Sequence, residues 1–390
     1  MKRVRLGVWI YPFGAGGVEH FLARLLAELR GRGFEIVCFA ASGGAGTRFY
    51  RKRGFEVLVM NGKDSAVRLA RALRARQVDA VMTTLYEPTA ARACRLAGIP
   101  HVWRCGGLVE VAAPTLPPGV RRRVTSLIDL LSDAVVANSR IVAAQFDRVC
   151  PEKVVRIPNG LTAGRGRPGP APDLRRRFSW PASAPLVAMS AHFYPYKRHE
   201  DFVRAAAGVA ARRPDCRFVV FGGVFSGNAG RQMKRCEARV LRLRAARGLK
   251  NKMAMVRGMD DLGGVLGQAD VFVHPSPDES FPNSVLEAMA AGKPVIAAGA
   301  GGCAELISTG KTGILVPPRR PDLLASAVET LLADPRKARR LGAAARRSVR
   351  RFGIRTAALR YERVVRGVLR ARDSKSMTSR RISSSVRRGR

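Results

Sequence analysis

The sequence is poor in long apolar runs, in aromatic residues and in paired cysteines. No stretch of about 18 consecutive apolar residues occurs, so no segment is predicted to cross a membrane. Aromatic residues make up only 6%, and the basic segments contain no recognition motif, which disfavours specific nucleic-acid binding. The seven cysteines form no C-x-x-C pair, so we expect reduced, mostly buried thiols in a cytoplasmic protein rather than disulfides or a zinc site.

Acidic residues are also scarce, since 29 Asp and Glu face 70 Lys and Arg and give a formal net charge of +41. Such a charge attracts polyanions, for example nucleic acid, anionic lipid or a phosphorylated substrate. Because the arginines are spread along the whole chain, the codon bias of a genome is the alternative explanation. The five histidines and the few acids show no metal-ligand pattern, and we predict neither a metal nor a cofactor.

Apolar strands alternate with helical segments along the chain. The N-terminal VRLGVWI runs straight into a glycine loop without a small-residue cleavage site, which predicts a buried first strand rather than a signal peptide. The alternation predicts an α/β fold with parallel sheets covered on both faces. A segment rich in Pro, Gly and Arg at 162–185 is predicted to be a linker. We therefore expect two Rossmann-like, doubly wound domains that face a central cleft, where ligands of such sheets bind.

Four segments follow from this pattern. Residues 1–165 and 166–354 are predicted to form the two domains, and residues 355–371 a helix that packs back toward the first. Residues 372–390 are rich in Ser and basic residues, which predicts a disordered tail. The tail either has no role or holds the protein near anionic lipid, at about 1 kcal/mol for each basic residue near the surface.

The stretch ESFPNSVLEAMAAGKPVIA, residues 279–297, carries Glu279 ahead of an apolar run and Glu287 inside it. Residues typical of a helix start lie between the two: Ser280, Pro282, Asn283 and Ser284. Free N–H groups at such a start can hold a phosphate, Glu287 can accept hydrogen bonds from a ribose diol, and Glu279 can meet sugar hydroxyls. Alternatively, Glu279 is a surface residue and Glu287 a charge favoured by the helix dipole, and spacing alone favours this simpler interpretation.

A longer ordered pattern surrounds this stretch. E-x7-E, EAMA-x-GKPVIA, GG-x-x-EL and TG-x-LVPP follow one another within 256–318, and SAHFYPYKRHEDFVRAAA, VVANS, KVVRIPNG and FGAGGVEHFLARLLAEL stand upstream. Over residues 4–365 the chain resembles the retaining GT-B glycosyltransferases of family 4, the glycosyl transferases group 1. The resemblance implies an enzyme with an N-terminal acceptor domain and a C-terminal donor domain for a nucleotide sugar.

The resemblance also implies roles for particular residues. Glu287 binds the ribose, Glu279 contacts the donor sugar, and Lys197 neutralises the leaving diphosphate. Further donor contacts are expected from Gly16, Gly17, Arg257, Gly258, Ser280, Phe281, Pro282, Asn283 and Ser284. A lysine and a helix N-terminus can stabilise the diphosphate without a metal. The implied mechanism is a front-face substitution, while a double displacement with Glu279 as the nucleophile stays open.

Two positions depart from the family pattern. His192 stands five residues before Lys197, where many members carry an arginine. It is either a weaker phosphate contact with a part in catalysis, which we favour, or a loop residue. The strand that often ends in His-Gly reads WRCGG here, so Arg104 either replaces the acceptor-side histidine or pairs with a nearby acid.

The resemblance implies transfer of a sugar from a UDP- or GDP-linked donor to a lipid-linked or polysaccharide acceptor, in envelope or exopolysaccharide synthesis. Such an enzyme is expected in the cytoplasm. Its expected partner is the anionic surface on the inner face of the cell membrane. A nucleotide-sugar epimerase of the same fold is the alternative enzyme. A basic nucleic-acid-binding protein is the alternative that is not an enzyme, and its binding would be sequence-blind and strongly salt-dependent.

Overall fold

The computed structural model divides the chain into two compact units. Unit 1 comprises Met1–Gly160 and Ile354–Arg390, and unit 2 comprises Leu161–Gly353. The structure describes residues 3–10, 14, 16–60, 65–84, 88–107, 131–148, 150–162, 172–225, 227–257 and 263–388. Residues 163–171 of the predicted linker lie outside these ranges, whereas its later part is described and contains the short helix Leu174–Arg177.

The described part of unit 1 contains a seven-stranded sheet with the order β3-β2-β1-β4-β5-β6-β7, and all its pairings are parallel. Its strands are β1 (Val4–Trp9), β2 (Phe34–Ala40), β3 (Glu56–Val59), β4 (Ala80–Thr83), β5 (His101–Cys105), β6 (Ala134–Ala137) and β7 (Val154–Arg156). Four of them, β1, β4, β5 and β6, are buried almost throughout. Near-continuous apolar runs of this kind are typical of parallel strands covered on both faces.

Helices cover both faces of this sheet. They include α1 (Gly17–Arg30), α2 (Ala45–Arg51), α3 (Ser65–Ala75), α4 (Pro88–Ala97) and α5 (Arg140–Ala143). Successive strand residues point to opposite faces. Leu6 and Val8 therefore pack in the same cluster as the apolar stripe of α1, whereas Trp9 and Phe39 pack with α3 and α4.

The described part of unit 2 contains a six-stranded sheet with the order β10-β9-β8-β11-β12-β13, and it is parallel throughout. Its strands are β8 (Leu186–Ser190), β9 (Arg217–Phe221), β10 (Met253–Val256), β11 (Val271–His274), β12 (Val295–Ala298) and β13 (Ile314–Val316). The helices are α6 (Leu174–Arg177), α7 (His199–Arg212), α8 (Gly227–Ala246), α9 (Gly263–Leu266), α10 (Asn283–Ala290), α11 (Cys303–Leu306), α12 (Pro321–Ala333) and α13 (Pro335–Ser348).

Both sheets reverse their strand order beside their first strand. In unit 1, β1 lies between β2 and β4, and in unit 2, β8 lies between β9 and β11. Two doubly wound parallel sheets confirm the fold class expected from the sequence. In open sheets of this kind, ligands bind outside the carboxyl ends of the strands at such a switch point. A binding site is therefore expected at the loops that leave β8 and β11.

The last helix, α14 (Ile354–Arg388), belongs to unit 1 and packs on α1. Tyr361 is fully buried with its ring 6.5 Å from that of Phe21, and Val365 is buried in the same cluster. Arg32 Nε donates to Glu362 Oε2 at 2.6 Å and links the end of α1 to α14. The helix thus completes the core of unit 1 from the opposite end of the chain.

The structure differs from the disordered tail expected for residues 372–390, because α14 continues through Arg388. Low hydrophobicity argues against packing into a core, but it does not prevent the backbone of a helix from continuing. The segment has no proline and no glycine before Gly389. Nothing in its sequence therefore interrupts the helix whose first turns pack on α1.

Two further expectations concern the membrane and the thiols. Among the described residues, no helix combines the length and the hydropathy that a membrane span requires. All seven cysteines are buried and free, which confirms the prediction of reduced thiols.

Replacing Tyr361 by Ala is expected to lower the free energy of unfolding by about 3 to 5 kcal/mol, because a large side chain leaves a cavity between α14 and the sheet. Urea denaturation of the purified variant measures this loss. Leu359→Ala, on the same helix with 38% of its surface exposed, is the matched control and should cost less than about 1 kcal/mol. Equal effects of the two variants would show that α14 is not part of the core.

Candidate active site at the switch point of unit 2

Two loops meet where β8 and β11 end. The loop after β8 leads through Tyr196 to Lys197, and the loop after β11 leads through Ser276 to Glu279. Because the two strands are neighbours in the sheet, their loops leave from the same edge. The Ser276 hydroxyl donates to the backbone carbonyl of Tyr196 at 3.0 Å and joins the loops. The topology therefore brings together two charged residues that are 82 positions apart in sequence.

Lys197 and Glu279 form a buried ion pair, in which Lys197 Nζ donates to Glu279 Oε1. Their side chains are only 17% and 9% exposed. Burial alone would raise the pKa of the Glu279 carboxyl, but Lys197 and His274 outweigh it and hold that pKa at about 2. Burial opposes the charge of Lys197 as well, yet Glu279 raises the lysine pKa above its ordinary value. Both groups are therefore charged at neutral pH.

His274, the last residue of β11, is the second partner of the carboxylate. Its Nε2 lies 3.0 Å from Glu279 Oε1, the same oxygen that Lys197 contacts. Only 1% of the histidine is exposed. From its place at the end of a buried strand ahead of the site, the sequence predicts a structural hydrogen bond for His274 but does not specify its partner.

A glycine pair fixes the backbone beneath the carboxylate. Gly302 N–H donates to the Glu279 carbonyl at 2.6 Å. A Cβ on Gly301 would lie 2.3 Å from that carbonyl oxygen, and one on Gly302 would lie 2.1 Å from the carbonyl oxygen of Ser280. Only residues without a side chain allow so close an approach between two backbone segments. The GG-x-x-EL motif therefore serves to seat the loop that carries Glu279.

The second glutamate of the motif lies on α10, as expected. Asn283, Ser284 and Glu287 are half-buried, and their spacing of three and four residues puts them on one face of the helix. Phe281 is 4% exposed and packs edge-on against Phe352 at 5.5 Å between ring centroids. The structure thus brings the whole motif to the edge of the sheet where β11 ends, with its apolar members inside.

The start of α10 differs from the prediction in one respect. Pro282 occupies the N-cap position and makes no side-chain capping bond, whereas Ser or Asn was expected there. Pro282 cannot accept a bond from the first helical N–H groups through its side chain. The side chain of the N-cap residue itself therefore does not bind the N–H groups where a phosphate was predicted.

His192 lies beside the loop after β9. Its Nδ1 is 3.2 Å from the carbonyl oxygen of Gly223, and its ring packs on Phe225 at 4.4 Å between centroids. Burial lowers the pKa of His192, so the imidazole is neutral at pH 7. Since a carbonyl only accepts, Nδ1 carries the proton and Nε2 has none to donate to a phosphate. The geometry favours the loop-residue alternative over the phosphate contact.

Arg257 lies at the end of β10 and is 62% exposed, paired with Glu237 of α8. Gly258, the other residue expected to flank the base, lies outside the described residues. In unit 1, α1 begins at Gly17, and Gly16 N–H donates to Glu19 Oε2 at 2.7 Å. The donor contacts expected of Gly16, Gly17 and Arg257 stay predictions.

Arg104 is the most deeply buried charge of unit 1. It is 0% exposed, its Nη2 donates to Asn159 Oδ1 at 2.7 Å, and its guanidinium lies 5.0 Å from the ring centre of Phe21. Burial raises the pKa of Glu19, and the charge of Arg104 opposes that rise. The predicted alternative, in which Arg104 pairs with a nearby acid, stays a prediction, because the hydrogen bond described here goes to the Asn159 amide. The acceptor contact stays a prediction.

Metal chemistry receives no direct support from the geometry. Within the ranges that the structure describes, no three His, Cys, Asp or Glu side chains are grouped as a metal site requires. Lys197 supplies the positive charge at the site. The absence of a metal requirement stays a prediction.

Solved structures with the same arrangement of two doubly wound sheets define the fold class. HepE from Anabaena, crystallised with UDP-glucose, has a TM-score of 0.82 at 20% identity, covering 94% of this chain and 100% of that one. Sucrose-phosphate synthase from Thermosynechococcus elongatus has a TM-score of 0.77 at 22% identity, covering 95% of this chain and 100% of that one. The fold is that of the GT-B glycosyltransferases.

Two family models then identify the family. The model for glycosyl transferases group 1 matches residues 171–348, and the model for glycosyltransferase family 4 matches residues 15–165. The two models together match most of the chain. The chain belongs to the group 1 glycosyltransferases with the GT-B fold, which confirms the family seen in its motifs.

Several relatives of the chain are D-inositol 3-phosphate glycosyltransferases. The protein of Thermobispora bispora is 30% identical over 239 residues, which cover 60% of this chain and 56% of the relative. That of Streptomyces bingchenggensis is 31% identical over 251 residues, which cover 62% and 55%. The matched part of the chain thus spans little more than half the length of these relatives.

Replacing Gly302 by Ala is expected to reduce sugar transfer at least tenfold, because the new Cβ must push the backbone at Ser280 and with it Glu279. Initial rates with a saturating nucleotide sugar measure the effect. Gly367→Ala is the matched control, since a Cβ there meets nothing within 4 Å and alanine favours a helix. A Gly302→Ala enzyme as active as this control would disprove the seating role.

Proposed function

We propose that the protein is a retaining glycosyltransferase that moves a sugar from a nucleotide-diphosphate donor to an acceptor hydroxyl. The observation that carries the proposal is the buried Lys197–Glu279 pair beside α10 at the switch point of unit 2. A cation for a diphosphate and a fixed carboxylate for hydroxyls, at one sheet edge, are what a nucleotide sugar requires. The family membership agrees with this chemistry.

The donor is proposed to lie along the motif from Glu279 to Glu287. Lys197 faces the diphosphate, Glu279 accepts hydrogen bonds from the sugar, and Glu287, half-buried on α10, accepts them from the ribose. UDP and GDP are the candidate nucleotides. HepE, which has the same fold at 20% identity, was crystallised with UDP-glucose, and this supports a uridine nucleotide.

The state of Glu279 bears on the mechanism. A carboxylate whose oxygen receives two donors, and whose pKa is held at about 2, is a weak nucleophile and does not carry a proton near neutral pH. This favours the front-face substitution over a double displacement through Glu279. In the front-face substitution, the leaving phosphate takes the proton from the acceptor hydroxyl. Lys197 stabilises the charge that develops on the diphosphate.

The acceptor is proposed to be a lipid-linked or growing glycan of the cell envelope or an exopolysaccharide. The names of the relatives favour a second candidate, a phosphorylated polyol such as inositol phosphate. Both candidates include anionic compounds, which suit a chain with a net charge of +41.

Purified protein with labelled UDP- or GDP-sugars and either a membrane extract or inositol phosphate should yield a labelled product with one of the two acceptors. Glu287→Ala should lower the rate at least 100-fold, because a ribose contact is lost and its hydroxyls face an apolar site. Glu329→Ala, a glutamate of α12 paired with Arg212, is the matched control and should leave the rate within about twofold. Conversion of the sugar without any acceptor would instead identify an epimerase.

The proposal includes association with an anionic membrane surface through the basic end of α14. Deleting residues 373–390, which carry six basic residues and one acid, should weaken binding to vesicles with anionic lipid at least tenfold. Co-sedimentation at two salt concentrations measures this, and vesicles of neutral lipid are the control. Unchanged binding to the anionic vesicles would disprove a role of this segment.

A further inference from the structure

His274 stands out among the buried polar groups that the proposed mechanism does not use. The sequence predicts a structural hydrogen bond for it without a partner, and its Nε2 lies 3.0 Å from Glu279 Oε1. We infer that His274 is a positioning residue that fixes the Glu279 carboxylate for the donor sugar through this hydrogen bond. The inference rests on the proposed function, since it assigns the residue to the same site.

The hydrogen bonding of the ring identifies which nitrogen carries the proton. A carboxylate only accepts, so the His274 Nε2 must donate. The other nitrogen, Nδ1, is buried and has no hydrogen-bond partner among the residues that the structure describes. The ring therefore makes its one side-chain contact through the Nε2–H that holds Glu279.

The two partners of Glu279 differ in what else they can do. Lys197 is 17% exposed in its side chain and is needed by the diphosphate when a donor arrives. His274 is 1% exposed and has no surface for a ligand. When the ammonium of Lys197 divides its hydrogen bonds between Glu279 and a diphosphate, the bond from His274 remains. The histidine is therefore the partner that holds the carboxylate in both states.

The strand under His274 makes it a firm anchor. His274 pairs with Ala297 of β12 in the sheet, and Gly302 holds the backbone of Glu279 from the other side. Both protein donors converge on Oε1, and Oε2 of Glu279 makes no hydrogen bond among the described residues. A carboxylate with one oxygen fixed and the other available presents a defined acceptor to a sugar hydroxyl.

The test compares two substitutions of similar size at this position. His274→Gln keeps an N–H donor near the place of Nε2, and His274→Met removes it. His274→Met should lower kcat by about 10- to 100-fold with KM for the nucleotide sugar changed by less than about threefold, because a misdirected carboxylate acts mainly on the transition state. His274→Gln should recover at least a third of the wild-type kcat.

A double-mutant cycle distinguishes positioning from a general loss of structure. If His274 acts through Glu279, adding His274→Met to Glu279→Gln should cost less than about threefold, because the bond is already altered. His101→Met is the control, since this histidine is buried in unit 1 between Thr83 and Ser132. Any loss that it causes should multiply with that of Glu279→Gln.

The outcomes separate this inference from the proposed function. The binding of UDP or GDP, measured by the thermal shift that each induces, should be the same in His274→Met as in the wild type, because these ligands lack the donor sugar that Glu279 contacts. A wild type that turns over no nucleotide sugar overturns the proposed function. An active wild type with equal kcat in His274→Met and His274→Gln, or with losses that multiply in the cycle, overturns the positioning role.

Discussion

The contact between Lys197 and Glu279 is the interaction on which the site depends. Each residue would be costly to bury alone, and each is charged because the other is present. A buried ion pair contributes little net stability compared with apolar side chains of the same size. The pair lies at the switch point of a doubly wound sheet, where ligands bind. A ligand that contacts both charged groups would explain why they are kept there.

The backbone around the pair is restrained from three directions. Ser276 joins the loops of β8 and β11, Gly302 seats the carbonyl of Glu279, and His274 holds its carboxylate. His274 is the last residue of β11, Ser276 lies in the loop that follows, and Gly302 comes from the start of α11. A site built in this way is formed before its ligand arrives, which lowers the entropy that binding and catalysis must supply.

Unit 1 shows that a buried charge does not by itself indicate a ligand contact. Arg104 is as deeply buried as any residue of the chain, and Asn159 accepts one of its hydrogen bonds. Its guanidinium lies beside Phe21 of α1 and interacts with Tyr361 of α14. The charge is therefore buried between β5 and these two helices. His192 is a similar case in unit 2, where a residue chosen for its position in a motif is neutral and bonded to a backbone carbonyl.

The sequence by itself determined the parallel sheets, the order of the elements and the motif from Glu279 to Glu287, because apolar runs and ordered motifs are local in the chain. It did not reveal that α14 continues to Arg388, since tail composition reports on packing and not on helical continuation. It also left the hydrogen-bond partner of His274 unspecified and favoured a phosphate contact for His192. Only the tertiary structure decided these points, because hydrogen bonds between residues that lie in different loops depend on which strands are neighbours in the sheet.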